Sequence, residues 1–185
     1  DFQGQYRLLW DADYLHLQAE IVDDVLFDSH ANPLEAYWDD DALEVFIDSD
    51  ASGGLHQTNH SAFAYHIALD NQAVDIGDDG QPHRYNAHLR SAWRRGPTHI
   101  VWEVAIKLYP NNYTDAKPLP PLRLQPSHVL GFMLAYCDND GSPVREHFKG
   151  SHLIAPVNGD RNRGYIDASV FGQVLLLPPR TSLDM

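Results

Sequence analysis

The sequence predicts an all-β chain, folded as one antiparallel β-sandwich of jelly-roll or immunoglobulin-like type with about nine to eleven strands. Three observations point there. Short runs alternate apolar and polar residues with the period of a strand, turn-forming clusters separate those runs, and no convincing amphipathic helix interrupts them. A length of 185 residues with 43% hydrophobic content is enough for one buried core.

Residues 6–10 read as a first short strand closed by the turn Asp11-Ala12-Asp13. Residues 14–22 carry the cleanest alternation: Leu15, Leu17, Ala19 and Ile21 share one face, and Tyr14, His16, Gln18 and Glu20 share the other. Residues 23–36 form a polar loop broken at Asn32-Pro33 that delivers Trp38. In residues 42–48, Leu43, Val45 and Ile47 alternate with Ala42, Glu44 and Phe46, so one face is expected in the core with Glu44 on the solvent side. Asp48-Ser49-Asp50 and Ser52-Gly53-Gly54 end that strand. Residues 53–61 read as loop. In residues 62–69, Phe63, Tyr65, Ile67 and Leu69 oppose Ala62, Ala64, His66 and Ala68, a face of small residues around one histidine on which something flat can lie.

A short strand over 73–76 follows, then a hairpin of residues 85–93 and 98–108 through Arg94-Arg95-Gly96-Pro97. Trp102 reads as core and Trp93 as strand-end packing. Pro110, Pro118, Pro120 and Pro121 make residues 110–125 an extended connection, with at most one helical turn near 111–116. Residues 129–137 form a strand with Leu130, Phe132, Leu134 and Tyr136 on one face and Met133, Ala135 and Cys137 on the other. Asp138-Asn139-Asp140-Gly141 is a tight turn, residues 144–148 a further strand, 153–164 a loop and 172–177 the closing strand. The domain is expected to span 1–178, with 179–185 a frayed tail.

A net charge of −13 argues against nucleic acid and anionic membrane surfaces as partners. No apolar run approaches the length of a membrane span. The single cysteine, Cys137, has no internal partner. The chain opens on Asp1 rather than Met, which reads as an excised or processed piece.

Chemistry concentrates in Tyr37-Trp38-Asp39-Asp40-Asp41-Ala42-Leu43-Glu44-Val45-Phe46-Ile47-Asp48. A flat aromatic ring on a loop, with a carboxylate six positions later, suggests a small-molecule site; packing of Trp38 on the sheet end is the plain alternative. This stretch resembles the signature of carbohydrate-binding modules of family 9 and, more loosely, of DOMON-type sandwiches. The resemblance continues in residues 101–107, in Leu130-Gly131-Phe132, in Asp138-Asn139-Asp140-Gly141, and in Asn162-Arg163-Gly164-Tyr165 through Gly172, in the family's order and across nearly the whole chain.

The resemblance implies two rings sandwiching a terminal sugar, Trp38 at the first position and Tyr165 at the second, where a tryptophan is more usual. Flat aromatic faces bury the C–H groups of a pyranose. About 100 Å² buried at about 25 cal/mol per Å² gives only about 2–3 kcal/mol, so polar groups must hold the hydroxyls. Glu44 matches the family's sugar-binding carboxylate and Asn162 its amide. His66, Ala68 and Ala135 depart from an expected arginine, asparagine and glutamine; His66 can substitute, and Arg161 or Arg163 can reach in.

The resembled modules often hold structural calcium. Asp48 and Asp50 are the first candidates, with Asp39-Asp40-Asp41 and Asp138/Asp140 behind them, although acidic residues more commonly serve as turn formers. Paired acids such as Glu44 and Asp41 suggest glycoside hydrolysis only weakly. No Gly-x-Ser-x-Gly, His-Glu-x-x-His or phosphate loop is present, and His56 and His60 lack tight zinc spacing in a loop. Related sandwiches hold haem b, for which His66 and Met133 are the axial candidates. A non-binding structural sandwich is the remaining alternative. The expected function is a non-catalytic module, extracellular, periplasmic or on the cell surface. Its partner is the end of a plant-type oligo- or polysaccharide, and it is tethered to a glycoside hydrolase.

Overall fold

The computed structural model describes residues 3–97 and 99–178, so the expected tail at 179–185 lies outside the described residues. The strands are β1 (Gln3–Trp10), β2 (Leu15–Val22), β3 (Ala42–Asp48), β4 (Phe63–Ala68), β5 (Ala73–Ile76), β6 (Pro82–Arg84), β7 (Leu89–Arg95), β8 (Ile100–Ile106), β9 (Val129–Asp138), β10 (His147–Gly150) and β11 (Gly172–Leu175). A four-stranded sheet in the order β1-β2-β8-β7 faces a seven-stranded sheet in the order β10-β9-β3-β4-β5-β6, with β11 also paired to β9. Every ladder is antiparallel.

Period-two alternation sets the core between the sheets. Leu15, Leu17, Ala19 and Ile21 of β2 meet Leu43, Val45 and Ile47 of β3, with Trp102 of β8 wholly buried among them. Burial of side chains this large contributes about 1.5–3 kcal/mol each, which is why alternation decides the register. Trp93 packs at the margin, its indole N–H donating to Leu69 O at 2.6 Å.

The elements the sequence places poorly are those held by loops and edges. The strand β6 opens on Pro82, an edge position where a missing N–H costs nothing, and it was not expected. Gly96 N donates to His99 O at 2.7 Å, so the hairpin turn falls later than expected and Arg94 and Arg95 stay in β7. Residues 110–117 close two tight turns, Tyr113 N donating to Pro110 O at 2.9 Å and Lys117 N to Thr114 O at 3.1 Å, within the expectation of at most one helical turn. That connection is held by buried polar aromatics, with the Tyr65 hydroxyl 2.8 Å from His88 Nδ1 and the Tyr113 hydroxyl 3.2 Å from His88 Nε2. The strand expected at 144–148 begins at His147 instead, because Asn139 Oδ1 accepts from Gly141 N (2.8 Å) and Ser142 N (2.7 Å) and lengthens the turn.

The larger correction concerns β3. The alternation of its faces holds, but it is not half wet: all seven residues are buried, and Glu44 is 1% exposed. Its outer face carries a second apolar cluster of Phe46, Ala64, Met133 and Ala135, against which Phe148, Ile154, Tyr165 and Phe171 pack. Loops cover the face that alternation alone assigns to solvent.

Candidate functional site

Two loops frame a pocket over this outer face. The first carries Tyr37 and Trp38 into β3 and is tied down by its own acids. Asp40 accepts from Ser29 Oγ and His30 N, both at 2.8 Å. Asp41 accepts from Phe27 N at 2.9 Å and from Asn139 N at 2.8 Å. Asp39 accepts from Arg145 N at 3.2 Å. These bonds fix the backbone on either side of Trp38, whose ring is left 44% exposed.

The second loop, residues 162–168, lies directly on the sheet. A Cβ on Gly164 would stand 2.6 Å from both Phe46 Cε1 and Met133 Cε, so only glycine lets the backbone settle there. His56 Nε2 lies 2.8 Å from Gly164 O, and Ala168 N donates to Gly54 O at 2.8 Å, pinning the loop from a separate segment. Asn162 and Tyr165 flank Gly164 and project over the floor, with the Tyr165 ring seated on the second apolar cluster.

The floor is set by register. Glu44 of β3 pairs directly with His66 of β4 on one side and with Ala135 of β9 on the other. Small neighbours leave a cavity of about 300 Å³, lined by Trp38, Glu44, His66, Asn162 and Tyr165 together with Tyr37, Asp75, Ile76 and Arg145. All five residues singled out from the sequence as carbohydrate contacts therefore line one pocket. Tyr37, Asp75 and Arg145 were missed. The adjacency of Tyr37 to Trp38 was a usable signal; nothing in the sequence announces Arg145. Arg161 and Arg163 do not line the pocket, and Arg161 instead donates to Ile154 O at 2.9 Å.

Electrostatics in the pocket follow from burial. Glu44 Oε1 lies 3.2 Å from His66 Nε2. Burial pushes the Glu44 carboxyl up to about 8; the Arg145 guanidinium draws it partly back and the Asp75 carboxylate pushes it further. Burial, reinforced by Arg145, pushes the His66 imidazole down to about 3. Both groups are thus held neutral near pH 7, and Glu44 Oε2 and His66 Nδ1 have no hydrogen-bond partner. Two buried polar atoms without partners beside an open cavity are suited to the hydroxyls of a polyol. Asp75 is also pushed up to about 7 by burial, but its oxygens accept from Ala64 N and Ile76 N, each at 2.8 Å.

The metal candidates separate. Asp48 accepts from Asp50 N (3.2 Å) and Gly53 N (2.7 Å), and Asp50 from Ser52 N (3.1 Å) and Asn111 Nδ2 (2.6 Å), the pattern of turn formers. The acids that do converge include Asp23, Asp41 and Asp138, one oxygen of each within 4.8 Å of the others. The Asp138 carboxylate also meets His147 Nδ1 at 3.0 Å. For haem, His66 lines the pocket, but Met133 is covered by the loop at Gly164. His56 and His60 have separate partners, Gly164 O and Asp115 Oδ2, so they form no shared zinc site with each other.

Comparison with known proteins places this geometry. A family profile described as "Carbohydrate family 9 binding domain-like" matches residues 1–178. Endo-1,4-beta-xylanase A of Thermotoga maritima is 26% identical over 177 residues, which is 94% of this chain but 14% of that protein. Endo-1,4-beta-xylanase C of Paenibacillus barcinonensis is 25% identical over 177 residues, 95% of this chain and again 14% of that protein. The chain thus spans only a small part of the curated relatives it matches. A family 9 carbohydrate-binding module from Caldicellulosiruptor kristjanssonii in complex with cellotriose superposes with a TM-score of 0.68 at 17% identity, over 100% of this chain and 79% of that one. A family 9 carbohydrate-binding module from the same organism in complex with glucose gives a TM-score of 0.68 at 17% identity, over 98% of this chain and 79% of that one. These structural likenesses show the fold.

Proposed function

The chain belongs to the carbohydrate family 9 binding domain-like family and is a carbohydrate-binding module; from that premise we propose that its sugar site is the pocket between Trp38 and Tyr165. The terminal residue of an oligo- or polysaccharide lies between the two rings, its C–H faces against the aromatic surfaces. Glu44, His66 and Asn162 meet its hydroxyls. One observation carries this reading: two loops and two adjacent strands bring these five residues to one cavity, whose floor holds the unpartnered Glu44 Oε2 and His66 Nδ1.

The reading assigns no bond-breaking step. Glycoside hydrolysis needs two carboxyl groups free to act, and both oxygens of Asp75, the other carboxyl group lining the pocket, are engaged by backbone amides. The match to xylanases over 14% of their length supports a tethered role, in which the module holds a hydrolase near its polymer and raises the effective substrate concentration. A plant-type glycan and a secreted or cell-surface setting complete this proposal. Because a related module binds cellotriose, β-1,4-linked glucans and xylans are the first ligands to try.

Isothermal titration of the wild type and Trp38→Ala against such a glycan panel tests the reading. The expected result is wild-type binding that falls at least about tenfold in Trp38→Ala, with a stability loss of about 0.5–1.5 kcal/mol from the lost edge contact with Tyr37. Glycan binding that survives Trp38→Ala refutes the clamp.

A further inference from the structure

Arg145 has little to do in the free protein. It lines the pocket, reached by the connection between β9 and β10. Its Nη1 donates to Cys137 Sγ at 3.2 Å, and its guanidinium carbon stands 4.3 Å over the Phe148 ring. A thiol is a weak acceptor, and a guanidinium carries five N–H donors in a fork that matches a carboxylate. Among the described residues, Arg145 forms no ion pair. The acids facing the same space do not neutralise it: the oxygens of Asp75 are bound by backbone amides, and burial keeps Glu44 and Asp75 from ionising readily. A positively charged fork therefore faces a pocket whose other walls are aromatic, apolar or uncharged save for Asp75, a partly ionised carboxyl whose oxygens are already held by backbone amides.

We propose that the pocket prefers a terminal sugar acid, a uronate, over the corresponding neutral sugar, with the Arg145 guanidinium holding its carboxylate while Trp38 and Tyr165 hold the ring. This proposal rests on the sugar-clamp reading above and adds the ligand's charge to it. The protonated Glu44 carboxyl, with Oε2 unpartnered, offers an O–H donor to the same anion instead of repelling it. Charge-assisted hydrogen bonds of this kind are about twice as strong as neutral ones, so roughly tenfold discrimination is expected.

The test is titration of D-glucuronate and D-glucose at pH 6.5 and low salt, followed by NMR, into the wild type, Arg145→Gln, Arg145→Lys and Trp38→Ala. The wild type is expected to bind glucuronate about tenfold more tightly than glucose. Arg145→Gln should weaken glucuronate about tenfold more than it weakens glucose, Arg145→Lys should retain part of the preference, and Trp38→Ala should weaken both sugars. Glucose binding equal to or tighter than glucuronate in the wild type overturns the proposal, as does an Arg145→Gln variant that weakens both sugars alike. In either case, loss of both sugars in Trp38→Ala leaves the clamp standing. A wild type that binds neither monosaccharide also overturns the acid preference, and the glycan panel then decides the clamp separately.

Discussion

Glu44 and His66 face each other across β3 and β4 with Oε1 3.2 Å from Nε2, and each keeps a further polar atom without a partner. Two buried groups placed this way cost stability in the free protein and gain only when a ligand supplies the missing bonds. The pair is thus a site held ready at the expense of the fold.

Glu44→Gln separates the two effects. Burial raises the folded-state carboxyl from 4.5 to about 8, so its contribution to stability is present below the unfolded value and lost as pH rises through about 8. Arg145 and Asp75 are its charged neighbours. His66 acts in the opposite direction: its folded value is depressed from 6.5 to about 3, so its contribution is lost as pH falls through that interval. Between pH 6.5 and 8 the glutamate contributes a slope of at most about 1.4 kcal/mol per pH unit, alongside Asp41 and Asp75, whose carboxyls, raised to about 7, finish ionising in the same interval. Urea unfolding should show Glu44→Gln more stable than wild type at pH 8, with a shallower pH dependence and weaker sugar binding. A slope identical to wild type would refute the account.

Tyr37 braces both sides of the pocket. Its buried ring is edge-on to Trp38 (4.9 Å, 78°) and to His66 (4.9 Å, 80°). Such pairs contribute about 0.5–1.5 kcal/mol each beyond area burial. With the loss of its own burial added, Tyr37→Ala should cost about 3–5 kcal/mol and bind sugar weakly, whereas Tyr37→Phe should keep both stability and affinity. Equal affinities in Tyr37→Ala and wild type would show that Trp38 needs no brace.

The contrast between Leu17 and Glu44 shows how much of this was legible in the sequence. The position of Leu17 in the core follows from alternation alone, and so does that of Trp102, because a strand's period assigns faces. Alternation cannot say what covers a face, so it placed Glu44 correctly opposite the core yet wrongly in solvent. Trp38, Glu44 and His66 were findable because a loop aromatic with a carboxylate six positions later, and one histidine on a face of small residues, leave a local pattern. Arg145 was not, since it arrives through an irregular connection where no period operates, and its role depends on where the chain returns.

Gly164 determines how closely the second loop approaches the sheet. In Gly164→Ala the new methyl would meet a ring carbon of Phe46 at 2.6 Å, and His56 holds the Gly164 carbonyl at 2.8 Å, so the loop cannot simply rise. Overpacking of this kind costs about 1–3 kcal/mol. Thermal melts should register that loss, and titration should show weaker binding because Asn162 and Tyr165 move with the backbone. Unchanged melting and affinity would mean that the loop has slack that these contacts do not show.

Asp41 anchors the first loop in the same sense, and its replacement tests whether the acidic run is structural. Its two oxygens accept from two amides far apart in sequence, Phe27 N and Asn139 N, at a site with no exposure. Burial raises this carboxyl to about 7, but protonation leaves both oxygens able to accept. Asparagine cannot do the same: its amide nitrogen is a donor, so one of the two backbone N–H groups would face another donor. An orphaned buried donor costs about 1–3 kcal/mol. Asp41→Asn should therefore lower the unfolding free energy by that amount at pH 4, close to the unfolded value, where the raised folded value contributes little, and weaken sugar binding through the Trp38 loop, while the β-sheet circular dichroism stays intact. If Asp41→Asn matches wild type in stability and affinity, the acidic run does not position Trp38, and the loop must be held by Asp39 and Asp40 alone.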